Sequence, residues 1–66
     1  MNSNTPDVRI TCDLMDEQAW QLAQLCKRIG FSDVRAQTST NAEAYVMLGA
    51  IARLQYALAQ AGYPPR

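Results

Sequence analysis

Residues 41–61 predict a single long helix that is apolar around nearly its whole circumference, and this feature constrains the fold more than any other. Thr40 and Glu43 match the capping box, in which a hydroxyl at the cap and a glutamate three residues later bond helix-start amides. Gly62 favours termination after the last turn, and the two prolines that follow prevent the helix from resuming. A helix that is apolar on nearly all sides is normally buried on nearly all sides.

The apolar side chains of this helix fall on two nearly opposite faces when they are plotted at 100° per residue. The first face, which we assign to the core, contains Ala44, Met47, Leu48, Ile51, Leu54 and Leu58. The second face, which we call the tyrosine face, contains Tyr45, Gly49, Ala52, Tyr56 and Ala59. A chain of 66 residues is too short to cover both faces, because a domain of about 60 residues buries only about 60% of the surface that its unfolded chain exposes.

The tyrosine face therefore predicts an interface. Gly49, Ala52 and Ala59 are small enough for another helix to approach closely, so we expect them to contact a second copy of the chain in a homodimer. The alternative is that the connector or the N-terminal segment folds over this face. A second subunit is also how a small domain gains stability when disulfides and metals are lacking, and this chain has two cysteines and no histidine.

The sequence before this helix predicts one strand and one helix. Residues 7–14 alternate between apolar and polar side chains, which is typical of a half-buried strand. Such a strand must lie on the helices or pair with the same strand of another copy. Residues 15–29 carry apolar side chains at helical spacing, with acidic residues in the first turn and basic residues in the last. Cys12 on the strand and Cys26 on the helix are both expected to face the core as small, unreactive side chains.

The chain as a whole predicts a mainly α fold with one N-terminal β-strand, in the order β-α-α. The remaining boundaries are a disordered tail over 1–6, a single small domain over 7–66, a connector over 30–40 and a tail over 62–66. Within the connector, residues 32–35 predict a short helical turn that is capped by Ser32.

The composition excludes several classes of function. Lys plus Arg equals Asp plus Glu at six each, and this neutrality disfavours nonspecific binding to nucleic acid. The absence of histidine removes the commonest general base, and the three glycines stand too far apart for a phosphate-binding loop. We therefore predict that the protein is not an enzyme and has no cofactor, metal site or membrane span. The N-terminus lacks the basic and apolar regions of a signal peptide, which predicts a cytoplasmic location.

The order of elements in residues 8–31 resembles the ribbon-helix-helix repressors. The resemblance is carried by the alternating segment Val8-Arg9-Ile10-Thr11-Cys12-Asp13-Leu14, by the helix that begins Met15-Asp16-Glu17 and ends at Gly30, and by the helix that follows. These repressors dimerise by pairing one strand from each chain, and the outward strand residues enter the major groove. The resemblance implies a DNA-binding homodimer in which Arg9 and Thr11 contact DNA.

A second resemblance covers more of the chain. It is carried by the strings Asp13-Leu14-Met15-Asp16-Glu17-Gln18-Ala19, Leu22-Ala23-Gln24, Lys27-Arg28-Ile29-Gly30-Phe31-Ser32, Glu43-Ala44-Tyr45 and Ala57-Leu58-Ala59-Gln60-Ala61-Gly62-Tyr63-Pro64-Pro65-Arg66. These strings are similar to a family of small bacterial proteins with no assigned activity, which we associate with plasmids and phages. The resemblance implies a mobile-element accessory protein that binds or inhibits a host protein, and it gives no residue a role.

The candidate partner-binding residues are Arg53 and the aromatic residues that remain once the core is filled. They are Trp20, Phe31, Tyr45, Arg53, Tyr56 and Tyr63. Trp, Tyr and Arg are the usual hot spots of protein interfaces. We therefore predict a non-enzymatic, homodimeric module that binds another protein, and the alternative is a DNA-binding regulator of the ribbon-helix-helix type.

Overall fold

The protein forms three helices in the part of the chain that the computed structural model describes, which is residues 6–64. α1 spans Asp16–Arg28, α2 spans Phe31–Arg35 and α3 spans Asn41–Gln60. The bounds of α1 and α3 lie within one residue of the helices that the sequence predicts. The predicted N-terminal tail, apart from residue 6, and the last two residues of the predicted C-terminal tail lie outside the described residues.

The predicted β-strand over residues 7–14 is wrong, since residues 6–64 contain no strand. Residues 6–15 have no regular secondary structure, and Val8 and Ile10 are 79% and 84% exposed. The alternation of apolar and polar residues in this segment therefore does not correspond to burial. A strand needs a hydrogen-bonded neighbour, and the rest of the described chain offers only helices and turns. The ribbon-helix-helix-like fold class is wrong for the same reason.

α1 and α2 each begin with a side chain that bonds the amide three residues before it. The Met15 N–H donates to Gln18 Oε1 at 3.0 Å, and the Gly30 N–H donates to Asp33 Oδ2 at 3.0 Å. In a capping box, these are the bonds in which the side chain of the third helical residue accepts from the backbone amide of the cap residue. The residue that caps α2 is therefore Gly30, and the predicted cap at Ser32 is wrong because Ser32 already lies inside the helix.

Thr40 caps α3, as the sequence predicts. Its Oγ1 accepts a hydrogen bond from the Glu43 N–H at 3.1 Å. The reciprocal bond is shifted by one residue, because Glu43 Oε1 accepts from the Ser39 N–H at 2.8 Å. At the other end, Gly62 has a φ of 99°. The Tyr63 N–H donates to the Leu58 carbonyl, five residues earlier, at 2.8 Å. This is the Schellman arrangement, which glycine favours because the left-handed conformation penalises a Cβ.

The Arg35 side chain fixes the corner between α2 and α3. Its Nε donates to Asn41 Oδ1 at 2.8 Å, its Nη1 to the Thr38 carbonyl at 2.9 Å and its Nη2 to the Ser39 carbonyl at 3.3 Å. A planar guanidinium presents several donors in a fixed fork, so one side chain satisfies three acceptors at the start of α3. The direction in which α3 leaves the corner follows from this arrangement.

α1 lies antiparallel to α3, and the two helices pack through small side chains. The buried side chains of the described residues are Ala19, Ala23, Cys26, Val34, Ala44 and Leu58. Only Val34 and Leu58 in this set are larger than cysteine, and complete burial of such a side chain stabilises the fold by about 1.5–3 kcal/mol. The core is therefore thin, and the molecule measures 33 × 28 × 17 Å.

The face of α3 that we assigned to the core is only partly covered. Ala44 and Leu58 are buried and Leu48 and Ile51 are half-buried, as the assignment requires. Met47 and Leu54, on the same face, remain exposed. The accessible surface of the chain is 5605 Å², whereas a compact protein of 7.3 kDa exposes about 4,200 Å². The radius of gyration is also larger than that of a compact chain of this length, at 13.3 Å against about 11 Å.

Replacing Thr40 with alanine removes the acceptor for the Glu43 amide, and we expect a loss of about 1 kcal/mol in the free energy of unfolding. Thr40→Ser keeps a hydroxyl in the same place and is the matched control. For this variant we expect the free energy of unfolding to fall by only a few tenths of about 1 kcal/mol. Urea unfolding, followed by circular dichroism at one protein concentration, measures both. Equal midpoints for the wild type and Thr40→Ala would contradict the capping role.

Candidate interaction surfaces

The tyrosine face of α3 is exposed in the single chain. Tyr45 and Tyr56 are 65% and 68% exposed, and Gly49 and Ala52 between them are exposed as well. Ala59, near the end of the helix, is half-buried. Among the described residues the N-terminal segment leaves this face open, and the predicted connector contacts it only at Tyr45, so an internal cover does not account for most of the face.

Phe31 extends the tyrosine face at its N-terminal end. Its ring lies 5.3 Å from the ring of Tyr45 at an interplanar angle of 39°, and it remains 39% exposed. The short helix α2 begins at Phe31, so the cap at Gly30 is what places this ring beside α3. Two of the candidate partner-binding residues therefore form one aromatic patch.

Trp20 and Tyr63 form a second aromatic pair, which holds the fold together. Their rings meet edge to face with centroids 4.8 Å apart, and the Tyr63 hydroxyl donates to Asp16 Oδ1 at 2.6 Å. The hydrogen bond to the Asp16 carboxylate, with partial desolvation and the charge of Asp16, raises the pKa of Tyr63 above its usual value. Both residues are half-buried, and this pair ties the chain after α3 to the first turn of α1. We therefore assign Trp20 and Tyr63 primarily a role in stabilising the fold and only secondarily a role in binding a partner.

An apolar groove, which the sequence analysis missed, lies between α1, the second half of α3 and the N-terminal segment. Its volume is about 430 Å³. The residues that line it are Arg9, Ile10, Thr11, Cys12, Leu14, Ala19, Leu22, Leu54, Ala57, Leu58, Ala61 and Tyr63. The face of α3 that we assigned wholly to the core contributes Leu54 and Leu58 to this lining, and Leu54 remains exposed there.

Arg9 and Thr11, the candidate DNA-contacting residues, are both part of this groove lining. They lie on an extended segment without a strand partner, so the paired ribbon that would carry them into a major groove is absent from the described residues. Arg9 also borders a shallow hollow of about 530 Å³ with Pro6, Asp7, Val8 and Arg53. Arg53 therefore stands near the N-terminal segment and at the edge of the tyrosine face, because it lies four residues after Gly49 and three before Tyr56 on α3.

The two cysteines differ in their surroundings. Cys26 is 7% exposed in the core between α1 and α3, and this burial raises the pKa of its thiol. Cys12 is exposed, so the prediction that it faces inward is wrong. Both thiols are free. The thiolate is the reactive form of cysteine. Burial therefore lowers the reactivity of Cys26 in two ways, because it raises the thiol pKa and blocks access to the sulfur.

No group of three or more His, Cys, Asp or Glu side chains among the described residues is arranged to hold a metal ion. The Oε1 of Gln24 is the one buried side-chain polar atom among residues 6–64 that has no hydrogen-bond partner. None of the helices described above is long and apolar enough to cross a lipid bilayer.

The profile of a protein family described as a family of unknown function, DUF7706, matches residues 1–66. Comparison with curated proteins and with solved structures finds no significant match.

The Tyr63 contact predicts a transition at alkaline pH. Because the folded-state pKa is raised, the stabilisation is complete below the ordinary tyrosine pKa of about 10 and is lost as pH rises through the raised value. Trp20 is the only tryptophan, so its fluorescence reports the loss. Tyr63→Phe should abolish the transition and Tyr56→Phe should preserve it. A transition that persists in Tyr63→Phe would contradict the assignment.

The cysteine environments predict unequal reaction with 5,5′-dithiobis(2-nitrobenzoate). In the folded protein one thiol should react quickly and the other only as the protein unfolds. Cys12→Ser should remove the fast phase, whereas Cys26→Ala should leave it intact. Two thiols that react at the same rate without denaturant would show that the core between α1 and α3 is open.

Proposed function

We propose that this chain, which belongs to the DUF7706 family, is a non-enzymatic module that forms a homodimer and binds another protein. The observation that carries the proposal is the amount of large apolar surface that stays open. Among the described residues, eleven large apolar side chains are exposed while six side chains are buried. A contiguous exposed apolar surface on a small protein usually marks an interaction site.

The open apolar surface divides into two parts with different chemistry. The tyrosine face consists of aromatic and very small residues, which suit contact with another helix. The groove consists mainly of aliphatic side chains on another side of α3, and it includes Leu54 at 41% exposure. Because the two parts use different sides of α3, a second copy of the chain can cover the tyrosine face while the groove stays accessible to a partner.

The groove has the character of a protein-binding surface. Its walls are largely apolar, Arg9 stands at its edge, and its volume lies within the range of ordinary ligand clefts. An apolar segment of a partner protein fits such a surface better than a polar substrate does. The accessory role of a mobile element, which would bind or inhibit a host protein, is compatible with a module of this kind. Free thiols at Cys12 and Cys26 are also what the reducing cytoplasm maintains.

The test is affinity capture from a bacterial lysate with quantitative mass spectrometry. Leu54→Glu places a carboxylate in the groove wall at a position that is already partly exposed. Gln21→Glu adds the same charge at an exposed position of α1 outside the groove lining. We expect one partner to be enriched with the wild type and with Gln21→Glu, and to be lost with Leu54→Glu.

Two results would contradict the proposal. One is an identical set of captured proteins for all three baits. The other is micromolar binding to duplex DNA that weakens steeply with salt, because that dependence is the signature of phosphate contacts.

A further inference from the structure

The tyrosine face of α3 has the same pattern in both chain directions. α3 spans Asn41–Gln60, so its midpoint falls between residues 50 and 51. Residues of the same kind stand at equal distances on either side of that midpoint, as the pairs Gly49 and Ala52, and Tyr45 and Tyr56. The counterpart of Ala59 is Ala42, which lies beside the face and is also small. At 100° per residue the line on which these pairs are centred runs through the middle of the tyrosine face.

A helix face with this symmetry is complementary to itself when the second helix runs in the opposite direction. We propose that a second copy of the chain packs its α3 antiparallel to this one across the tyrosine face, with the two-fold axis at the midpoint of the helix. Gly49 then faces Ala52 of the partner subunit, and Tyr45 faces Tyr56 of the partner subunit. In such an isologous contact every pairing occurs twice. The inference rests on the proposed homodimer and specifies its interface.

The centre of the face allows two backbones to approach closely. Apart from the adjacent residues and the backbone of α3 itself, no heavy atom lies within 4 Å of the place where a Cβ on Gly49 would stand, and Ala52 is exposed. Packed helices lie 8–10 Å apart, and the smallest side chains permit the short end of that range. The tyrosines then lie on both sides of the closest approach, where their rings cover the gap that the small residues leave.

The length of α3 gives a contact along the tyrosine face room to form. α3 is about 30 Å long, close to the 33 Å longest dimension of the molecule, so a contact along it spans the whole protein. Tyr45 and Tyr56 are each about two-thirds exposed and together present roughly 200–300 Å². A standard interface buries about 800 Å² per partner, so the two tyrosines supply about a third of it. The rest must come from the other exposed residues beside them, among them Phe31, Gly49 and Ala52.

Charge also favours a second copy as the occupant. The pairs named above carry no charge, and Arg53 at the edge of the face is the nearest charged side chain, so two copies can meet without burying an unpaired charge at the centre. Opposed helix directions place the positive end of each helix dipole beside the negative end of the other. A partner that binds through charged groups would find only Arg53, at the edge of this face.

The face is tested by Gly49→Glu, with Ala50→Glu as the matched control on an exposed position outside the tyrosine face. Glutamate is a better helix former than glycine, so loss of the dimer cannot result from loss of the helix. Sedimentation equilibrium should show a dimeric wild type, a dissociation constant raised at least about tenfold by Gly49→Glu, and an unchanged value for Ala50→Glu. A dimer that tolerates Gly49→Glu would overturn the assigned face and leave the homodimer itself standing.

The helix direction is tested by disulfide trapping in a Cys12→Ser, Cys26→Ala background. Tyr45→Cys and Tyr56→Cys chains are oxidised separately and after mixing. The antiparallel arrangement predicts a mixed disulfide between the two chains and little linkage within either pure sample, because two copies of position 45 lie about 16 Å apart along the axis. Efficient linkage of pure Tyr45→Cys would overturn the antiparallel register. A monomeric wild type would instead overturn the homodimer and the inference together.

Discussion

The close contact between α1 and α3 through alanine and cysteine side chains determines most of the remaining structure. Ala19, Ala23 and Cys26 let the two helices approach, and Leu58 fills the space that remains. Small side chains give a close contact but little buried apolar area. Consequently the larger residues of both helices, among them Leu25 and Met47, are left on the outside of the contact. The small buried core and part of the exposed apolar surface follow from these small side chains, and the extended N-terminal segment accounts for another part of that surface.

The aromatic residues are divided between the fold and its surface. Trp20 and Tyr63 pack on each other, and the hydrogen bond from Tyr63 to Asp16 anchors the end of the chain to the start of α1. Tyr45 and Tyr56 have no such role, and Phe31 supports only the first of them. An aromatic side chain that remains about two-thirds exposed contributes little to the stability of a single chain. The exposure of these two rings is consistent with the dimer interface proposed above.

Much of the helical structure could be predicted from local signals, since the cap at Thr40 and the stop at Gly62 depend on residues close by in sequence. The predicted strand was wrong because alternation describes which side chains could share a face, and it does not supply a second strand. The groove and the Trp20–Tyr63 contact were missed for a related reason. Both join residues that are far apart in the chain, and Tyr63 meets Asp16 across 47 positions. The exposure of the tyrosine face was predictable, because it followed from the length of the chain and the periodicity of one helix.

Arg35 gives the corner before α3 a property that no other positively charged side chain would provide. Its three bonds diverge toward a side-chain amide and two separate carbonyls, and an ammonium group, which offers its donors from a single atom, could not span them. With lysine at position 35, at least one of these three acceptors would therefore lose its donor. The two ends of α3 are thus held by contacts of different kinds. A three-bonded guanidinium holds its start, and the single hydrogen bond from Tyr63 to Asp16 holds the chain just beyond its end.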